Sequence, residues 1–220
     1  MSEPEMTGRK ACAALFDLDG VLIDTEPIYT QIWSDIDREY PTGVEDFALK
    51  IKGSTLPRIL SGYYPDPATA AAVAGMLAER EENMTYPLFD GVMDFLAQLK
   101  EAGIPTAIVT SSGDAKMRRL FARTPGFRAM FKQVLTDSSV SRSKPDPQGY
   151  LLAAKLLGVP AGDCYVFEDS FNGLRAGMAS GATVIALSTS NPAESLEGMS
   201  HAVIPSFVGF TVQQMLSVRR

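Results

Sequence analysis

Read for the alternation of apolar and polar positions, the chain has two textures. From Val92 onward, short apolar runs bounded by turn residues alternate with stretches of helical period. Pro105–Val109, Gln133–Thr136, Asp163–Phe167, Thr183–Leu187 and His201–Ile204 read as strands. Val92–Ala102, Asp114–Arg123, Gln148–Leu157, Asn172–Ser180 and Thr211–Val218 read as helices, several closed by a glycine. One more apolar run, Lys10–Phe16, stands alone near the start, and its near-continuous apolarity indicates a strand buried on both faces. Val44–Tyr86 carries no strand pattern. Ahead of it, Ile28, Ile32, Trp33, Ile36 and Tyr40 recur at helical spacing behind Thr25-Glu26-Pro27, a helix start with Thr25 as N-cap. Within it, the alanine-rich Ala68–Met84 is the longest good helix former.

This order predicts an α/β fold: a doubly wound, mainly parallel sheet with helices on both faces, and a small all-helical domain inserted after the first strand. The expected division is 1–21 with 88–220 for the α/β domain and 22–87 for the insertion, joined at Val21–Asp24 and Tyr86–Asp90.

Composition narrows the function classes. Across 220 residues the formal charge is −6, which argues against a nucleic-acid-binding surface. The basic residues Lys116, Arg118, Arg119 and Arg123 read as a solvated helix face. No apolar run reaches the roughly 18 residues needed to span a bilayer. Met1–Lys10 reads as a loose polar leader rather than a signal peptide. Cys12 and Cys164 read as small buried thiols suited to a reducing compartment. The expectation is a cytoplasmic protein with neither nucleic acid nor membrane as partner, and nothing demands more than a monomer. The one histidine, His201, sits in a late strand and reads as structural, which excludes histidine phosphotransfer and Ser-His triads.

The chemistry collects where strands end. Asp17 and Asp19 follow the first apolar run, with Gly20 allowing a sharp turn behind them. Alone, an Asp-x-Asp is most often a solvated acidic turn. In a parallel sheet, however, ligands bind outside the carboxyl ends of the strands. There Asp17 and Asp19 would meet Thr110-Ser111-Ser112, Glu168-Asp169, and Lys144 of Ser143-Lys144-Pro145. Four clustered acids call for a divalent cation, and an all-oxygen donor set suits Mg²⁺. The hydroxyls of Thr110 and Ser111 and the ammonium of Lys144 suit phosphate oxygens. A carboxylate 4 Å from one phosphate charge is repelled by about 4 kcal/mol at an effective dielectric near 20, so attack on phosphorus needs those cations.

Phe16-Asp17-Leu18-Asp19-Gly20-Val21, Thr110-Ser111-Ser112, Ser143-Lys144-Pro145 and Glu168-Asp169-Ser170 resemble, in order, the four motifs of the haloacid dehalogenase superfamily. The helical block after the first motif is similar to the cap of its β-phosphoglucomutase-like phosphatases, and the resemblance covers essentially the whole chain. It implies a Rossmann-like core and a phosphatase acting on a small phosphorylated metabolite, a sugar phosphate foremost. It also implies that Asp17 is the nucleophile forming an aspartyl-phosphate and Asp19 the general acid and base, with Thr110 and Lys144 as phosphate ligands. Mg²⁺ would be held by Asp17, the backbone carbonyl of Asp19, and Asp169, with Glu168 assisting. In the cap, Ile51-Lys52-Gly53-Ser54-Thr55 matches a segment that reaches the site, and Lys52, Tyr29 and Trp33 are the expected substrate-facing residues.

The alternative within the family is a phosphosugar mutase. Where β-phosphoglucomutase has a histidine early in the first cap helix, this chain has Tyr29. Where it has an arginine after the Lys-Gly element, this chain has Leu56, with Arg58 two residues on. Both departures favour hydrolysis over retention of a doubly anionic intermediate. A dehalogenase has no leaving alkoxide for Asp19 to protonate, and a retired binding module has no chemical reason to keep these charges together.

Overall fold

The computed structural model describes residues 11–51 and 56–219. Its strands are β1 (Ala13–Phe16), β2 (Thr106–Val109), β3 (Gln133–Leu135), β4 (Cys164–Glu168), β5 (Thr183–Leu187) and β6 (Ala202–Ile204). The helices, in chain order, are α1 (Glu26–Glu39), α2 (Phe47–Lys50), α3 (Leu56–Tyr63), α4 (Pro67–Asn83), α5 (Val92–Glu101), α6 (Asp114–Arg123), α7 (Gln148–Leu157), α8 (Phe171–Ala179), α9 (Ala193–Leu196) and α10 (Val212–Ser217).

All six strands form one sheet in the order β3-β2-β1-β4-β5-β6, and every pairing is parallel. The chain winds outward from β1 in one direction and then in the other. The order therefore reverses between β1 and β4, where such sheets open a crevice at their carboxyl edge.

Side-chain alternation assigns each face its core. Ala13 and Leu15 of β1, Ala107 and Val109 of β2, and Val166 of β4 join Tyr150, Ala153 and Leu157 of α7 and Leu174 of α8 in one cluster. α7 packs on β1, β2 and β3, and α8 on β4 and β5. The opposite parity carries aromatic rings. Phe16 stacks on Phe167 at 4.7 Å between centroids, and Phe95 of α5, Phe131 and Phe207 surround the pair. Such pairs contribute about 0.5–1.5 kcal/mol each beyond the area they bury.

Contacts divide the chain into 1–24 with 87–220, and 25–86. Leu22 to Asp24 group with the α/β unit because the carbonyl of Leu18 accepts from the amides of Val21, Leu22 and Ile23, winding this stretch tightly onto β1. The outgoing and returning segments are also tied together. Ile23 and Leu88 form an antiparallel bridge, Asp24 N donates to Pro87 O at 2.9 Å, and Phe89 N donates to Leu22 O at 3.1 Å.

In the helical unit, Trp33 of α1 meets the Phe47 ring edge-on at 6.0 Å, and Phe47 in turn meets Tyr63 and Tyr64. Ile32 and Ile36 of α1 and Val73 and Leu77 of α4 complete this core. The Tyr64 hydroxyl is buried with no hydrogen-bond partner, and burial, aided by Asp37, pushes it up to about 12.

Several local expectations change. Thr25 stands at the N-cap position of α1 but already has helical angles, and its side chain makes no capping bond. Asp66, in extended conformation, does cap α4, accepting from Thr69 N at 2.8 Å. α8 is capped by Ser170, whose Oγ accepts from Gly173 N at 3.1 Å. The strand expected at Lys10–Phe16 begins at Ala13, and Cys12 is half-buried while Cys164 is buried; neither forms a disulfide. His201 Nδ1 accepts from Val184 N at 2.9 Å, a structural tie between β5 and the start of β6. No helix among the described residues is long and apolar enough to cross a membrane.

Candidate active site

Parity and register make neighbours of two acids. Asp17 continues the Ala13–Leu15 face one step beyond β1, and Glu168 continues the Cys164–Val166 face at the end of β4. Phe16 pairs with Phe167, and Asp17 N donates to Phe167 O at 3.0 Å. Both carboxylates therefore face the side covered by α7. The loop before α7 supplies Lys144, whose Nζ bonds Asp17 Oδ1 and, at 2.6 Å, Glu168 Oε1.

Glu168 is the most heavily held acid. Besides Lys144, Oε1 accepts from the Tyr150 hydroxyl at 2.8 Å. Oε2 accepts from Asp169 N at 3.0 Å, Ser170 N at 3.2 Å and Ser170 Oγ at 3.1 Å. The residue is fully buried, and the Lys144 ammonium lies 5.1 Å from the centroid of the Tyr150 ring. Donors saturate this carboxylate, so it anchors Lys144 and shapes the floor of the site.

Asp17, Glu168 and Asp169 each bring a carboxylate oxygen within 4.8 Å of the others. Burial pushes Asp17 well above the usual carboxylate range; Lys144 opposes the shift, and Glu168 and Asp169 add to it. Burial also raises Asp169, with Glu168 adding, to about 7, against the hydrogen bond from Ser190 and the charge of Lys144. Burial alone would lower the Lys144 ammonium, but Asp17 and Glu168 more than offset it and hold it above its ordinary range. Tyr150 is pushed up by burial and then by the same acids. Three carboxylates against one ammonium leave two formal negative charges buried together. A hard divalent cation fits this donor set and its charge deficit.

Backbone geometry serves the same cluster. Gly20, at φ +78°, brings the chain so close to Asp169 that a Cβ there would overlap its carboxylate and Ser190 Oγ. Thr189 donates to Gly20 O, and Asn191 Nδ2 donates to Asp169 O at 2.9 Å, so the loop after β5 braces the turn from behind. On α8, a Cβ at Gly173 would overlap Glu168, which its five donors prevent from moving aside. Gly→Ala inside a helix normally gains about 1 kcal/mol. Here overpacking at about 1–3 kcal/mol wins. Gly173→Ala is therefore expected to lower the urea midpoint at unchanged m-value, whereas a raised midpoint would show that Glu168 can yield.

Asp19 has other partners. The chain turns at Leu18, beyond the end of β1, and Asp19 bridges to Ile23. Its Oδ2 accepts from Ser112 Oγ at 2.8 Å and its Oδ1 from Lys116 Nζ at 2.6 Å. Its side chain is 34% exposed, against 13% for Asp17. Thr110 is buried at the end of β2, its Oγ1 accepting from Ser112 N at 3.0 Å, while Ser111 is exposed. Thr110, Ser111 and Lys144 line one cavity of about 190 Å³ with Arg142 and Tyr150. Asp146 bonds Gln148 N at 2.9 Å and Arg142 Nε at 2.6 Å, and so braces its own loop.

Within the helical unit, Tyr29 donates to Glu81 at 2.9 Å, and Trp33 is 7% exposed in the aromatic core. Both line a cavity of about 270 Å³ with Glu26, Ile59, Leu77 and Glu81. Lys52 lies outside the described residues.

Residues not placed in the site from the sequence also shape it: Lys116, Tyr150 and Ser190. Ser190 follows a strand adjacent to β4, so the carboxyl-edge rule could have flagged it. Lys116 stands in the first turn of α6, where the helix dipole disfavours a cation, and that mismatch was its signal.

The model of the haloacid dehalogenase-like hydrolase family matches residues 13–181. Hexitol phosphatase A of Escherichia coli is 34% identical over 177 residues, covering 79% of this chain and 81% of its own. A β-phosphoglucomutase of Mycobacterium bovis is 33% identical over 215 residues, covering 80% of each chain. Among solved structures, a family IA hydrolase of Entamoeba histolytica superposes with a TM-score of 0.79 at 25% identity, covering 94% of this chain and 98% of its own.

Proposed function

This chain belongs to the haloacid dehalogenase-like hydrolases, and from that premise we propose that it is a cytoplasmic, Mg²⁺-dependent phosphatase of small phosphorylated metabolites, sugar or polyol phosphates foremost. The observation that carries the reading is the different surroundings of the two aspartates. Asp17 is held by Lys144 beside Glu168 and Asp169, while Asp19 is held by Ser112 and Lys116. One acid is set against buried positive charge, as a nucleophile for phosphorus needs. The other is more open, as a proton carrier needs.

Asp17 attacks phosphorus as the bond to the leaving oxygen breaks, and Asp19 gives that oxygen a proton. In the second half, water attacks the aspartyl-phosphate while Asp19 takes its proton, the bond between phosphorus and Asp17 breaks, and inorganic phosphate leaves. Lys144 keeps the Asp17 carboxylate in place, and the hydroxyls of Thr110 and Ser111 donate to phosphoryl oxygens. Asp17 and Asp169 would hold Mg²⁺ with the carbonyl of Asp19, Glu168 supporting from behind. When bound, Mg²⁺ supplies positive charge that lets two anions approach.

Chelation is expected to abolish phosphate release and Mg²⁺ to restore it. Mg²⁺ at 100 times its dissociation constant should also stabilise the fold by about 2.7 kcal/mol. In metal-free protein, an Asp169 raised to about 7 binds a proton in the folded chain that the unfolded chain releases near 4. Metal-free stability should therefore fall as pH rises through that window. Thermal melts with and without Mg²⁺ read both effects, and melts indifferent to the metal would remove the cation from this cluster.

The deciding assay is a panel of phosphorylated metabolites scored for free phosphate, with β-glucose 1-phosphate followed separately for glucose 6-phosphate. The second reading, a phosphosugar mutase, is favoured by the mycobacterial relative. Isomerised product without free phosphate would establish it. Tyr29, engaged with Glu81 where the mutase has a histidine, speaks for hydrolysis.

A further inference from the structure

We propose that Lys116 is a positioning residue for Asp19, and that it serves the second half of the reaction, in which water gives up a proton. The inference rests on the phosphatase reading and extends it to a residue outside the four motifs. Both oxygens of Asp19 are held from one short segment: Oδ2 by Ser112 Oγ at 2.8 Å and Oδ1 by Lys116 Nζ at 2.6 Å. Two donors on two oxygens fix the plane of the carboxylate. Held this way, Asp19 is an acceptor with its donors already supplied, the form that receives a proton from water.

Lys116 is unlike an ordinary surface lysine. It is 14% exposed although it stands in a helix of net positive charge. Its place in the first turn of α6 sets its charge against the positive end of the helix dipole. Asp19 offsets both costs. The site thus gives each aspartate its own lysine: Lys144 from the loop before α7 for Asp17, and Lys116 from α6 for Asp19. In the step concerned, the oxygen of water bonds to phosphorus, the bond from phosphorus to Asp17 breaks, and the proton passes from water to Asp19. Lys116 itself exchanges no proton.

Lys116→Met should therefore leave phosphorylation of Asp17 by an aryl phosphate nearly intact and slow the water step by roughly 10–100-fold, the cost of misplacing a reacting group by about an ångström. Rapid mixing with p-nitrophenyl phosphate should show a burst of one nitrophenolate per site. Steady-state kcat and KM should then fall together, leaving kcat/KM within about 3-fold of wild type. Lys116→Arg should shrink the burst and recover much of kcat. An equal loss in kcat/KM, a raised KM without a burst, or no change at all would overturn the proposal. If wild type forms no phosphoenzyme and releases no phosphate, the phosphatase reading falls by itself. A crystal structure of Lys116→Met then decides the positioning alone: an Asp19 parted from Ser112 supports it, and an unmoved Asp19 overturns it.

Discussion

Asp17→Asn is expected to abolish phosphate release from every substrate, a loss on the order of 10⁶, the size seen when a hydrolase loses its covalent nucleophile. The variant should nevertheless fold. Asp17 lies largely covered among two other acids and one lysine, and its carboxyl is held well above the usual range because burial disfavours its charge. Asparagine keeps the shape and removes one of the negative charges that crowd the site, while Lys144 retains Glu168 as partner at 2.6 Å. Without metal, the variant should melt at or above the wild-type temperature; with Mg²⁺, the order should reverse, because wild type gains a ligand that the variant lacks. Both halves are needed. Lost activity with lost folding would say only that Asp17 is structural, and retained phosphate release would refute covalent catalysis by this residue.

Asp19→Asn should behave differently, and the leaving group should reveal how. For an alkyl phosphate, the departing alkoxide needs a proton, and losing the donor should slow turnover by roughly 10²–10⁴. For an aryl phosphate, the phenolate leaves unaided, so the first half survives and the enzyme should accumulate as aspartyl-phosphate awaiting water. Mass spectrometry of the acid-quenched protein would show one added phosphoryl group. Equal slowing for both esters with no trapped intermediate would remove Asp19 from proton transfer.

How much of this site is legible in the sequence depends on which interaction places each residue. Asp17 and Glu168 can be read because each follows an apolar run at the edge of a parallel sheet, where topology alone brings strand ends together. Lys144 can be read because it sits beside a proline in a loop on that edge. Lys116 cannot be read in this way. On its helix it shares the spacing of Arg119 and Arg123, and only the turn at Leu18 sends Asp19 toward it. Period-two parity carries an argument only while the strand continues, and β1 stops at Phe16. Caps are local contests that composition alone does not decide. Thr25 is spared as a cap by an already helical backbone, while Asp66 and Ser170, extended, take the role. Tyr150 escapes notice because an apolar-looking residue at helical spacing reads as core, and it is core, with one hydroxyl aimed at an acid.

The tie between Ile23 and Leu88 bears on how such a chain can change over evolutionary time. The backbone leaves and re-enters the α/β unit at one stitched point, with Asp24 N on Pro87 O and Phe89 N on Leu22 O. To the sheet, residues 25–86 are one closed loop whose ends are already together. Closing a flexible loop costs only about 0.6 kcal/mol more for each doubling of its length. The helical block is thus a cassette: it can be lengthened, shortened or exchanged for another while β1 keeps its register and Asp17 its lysine.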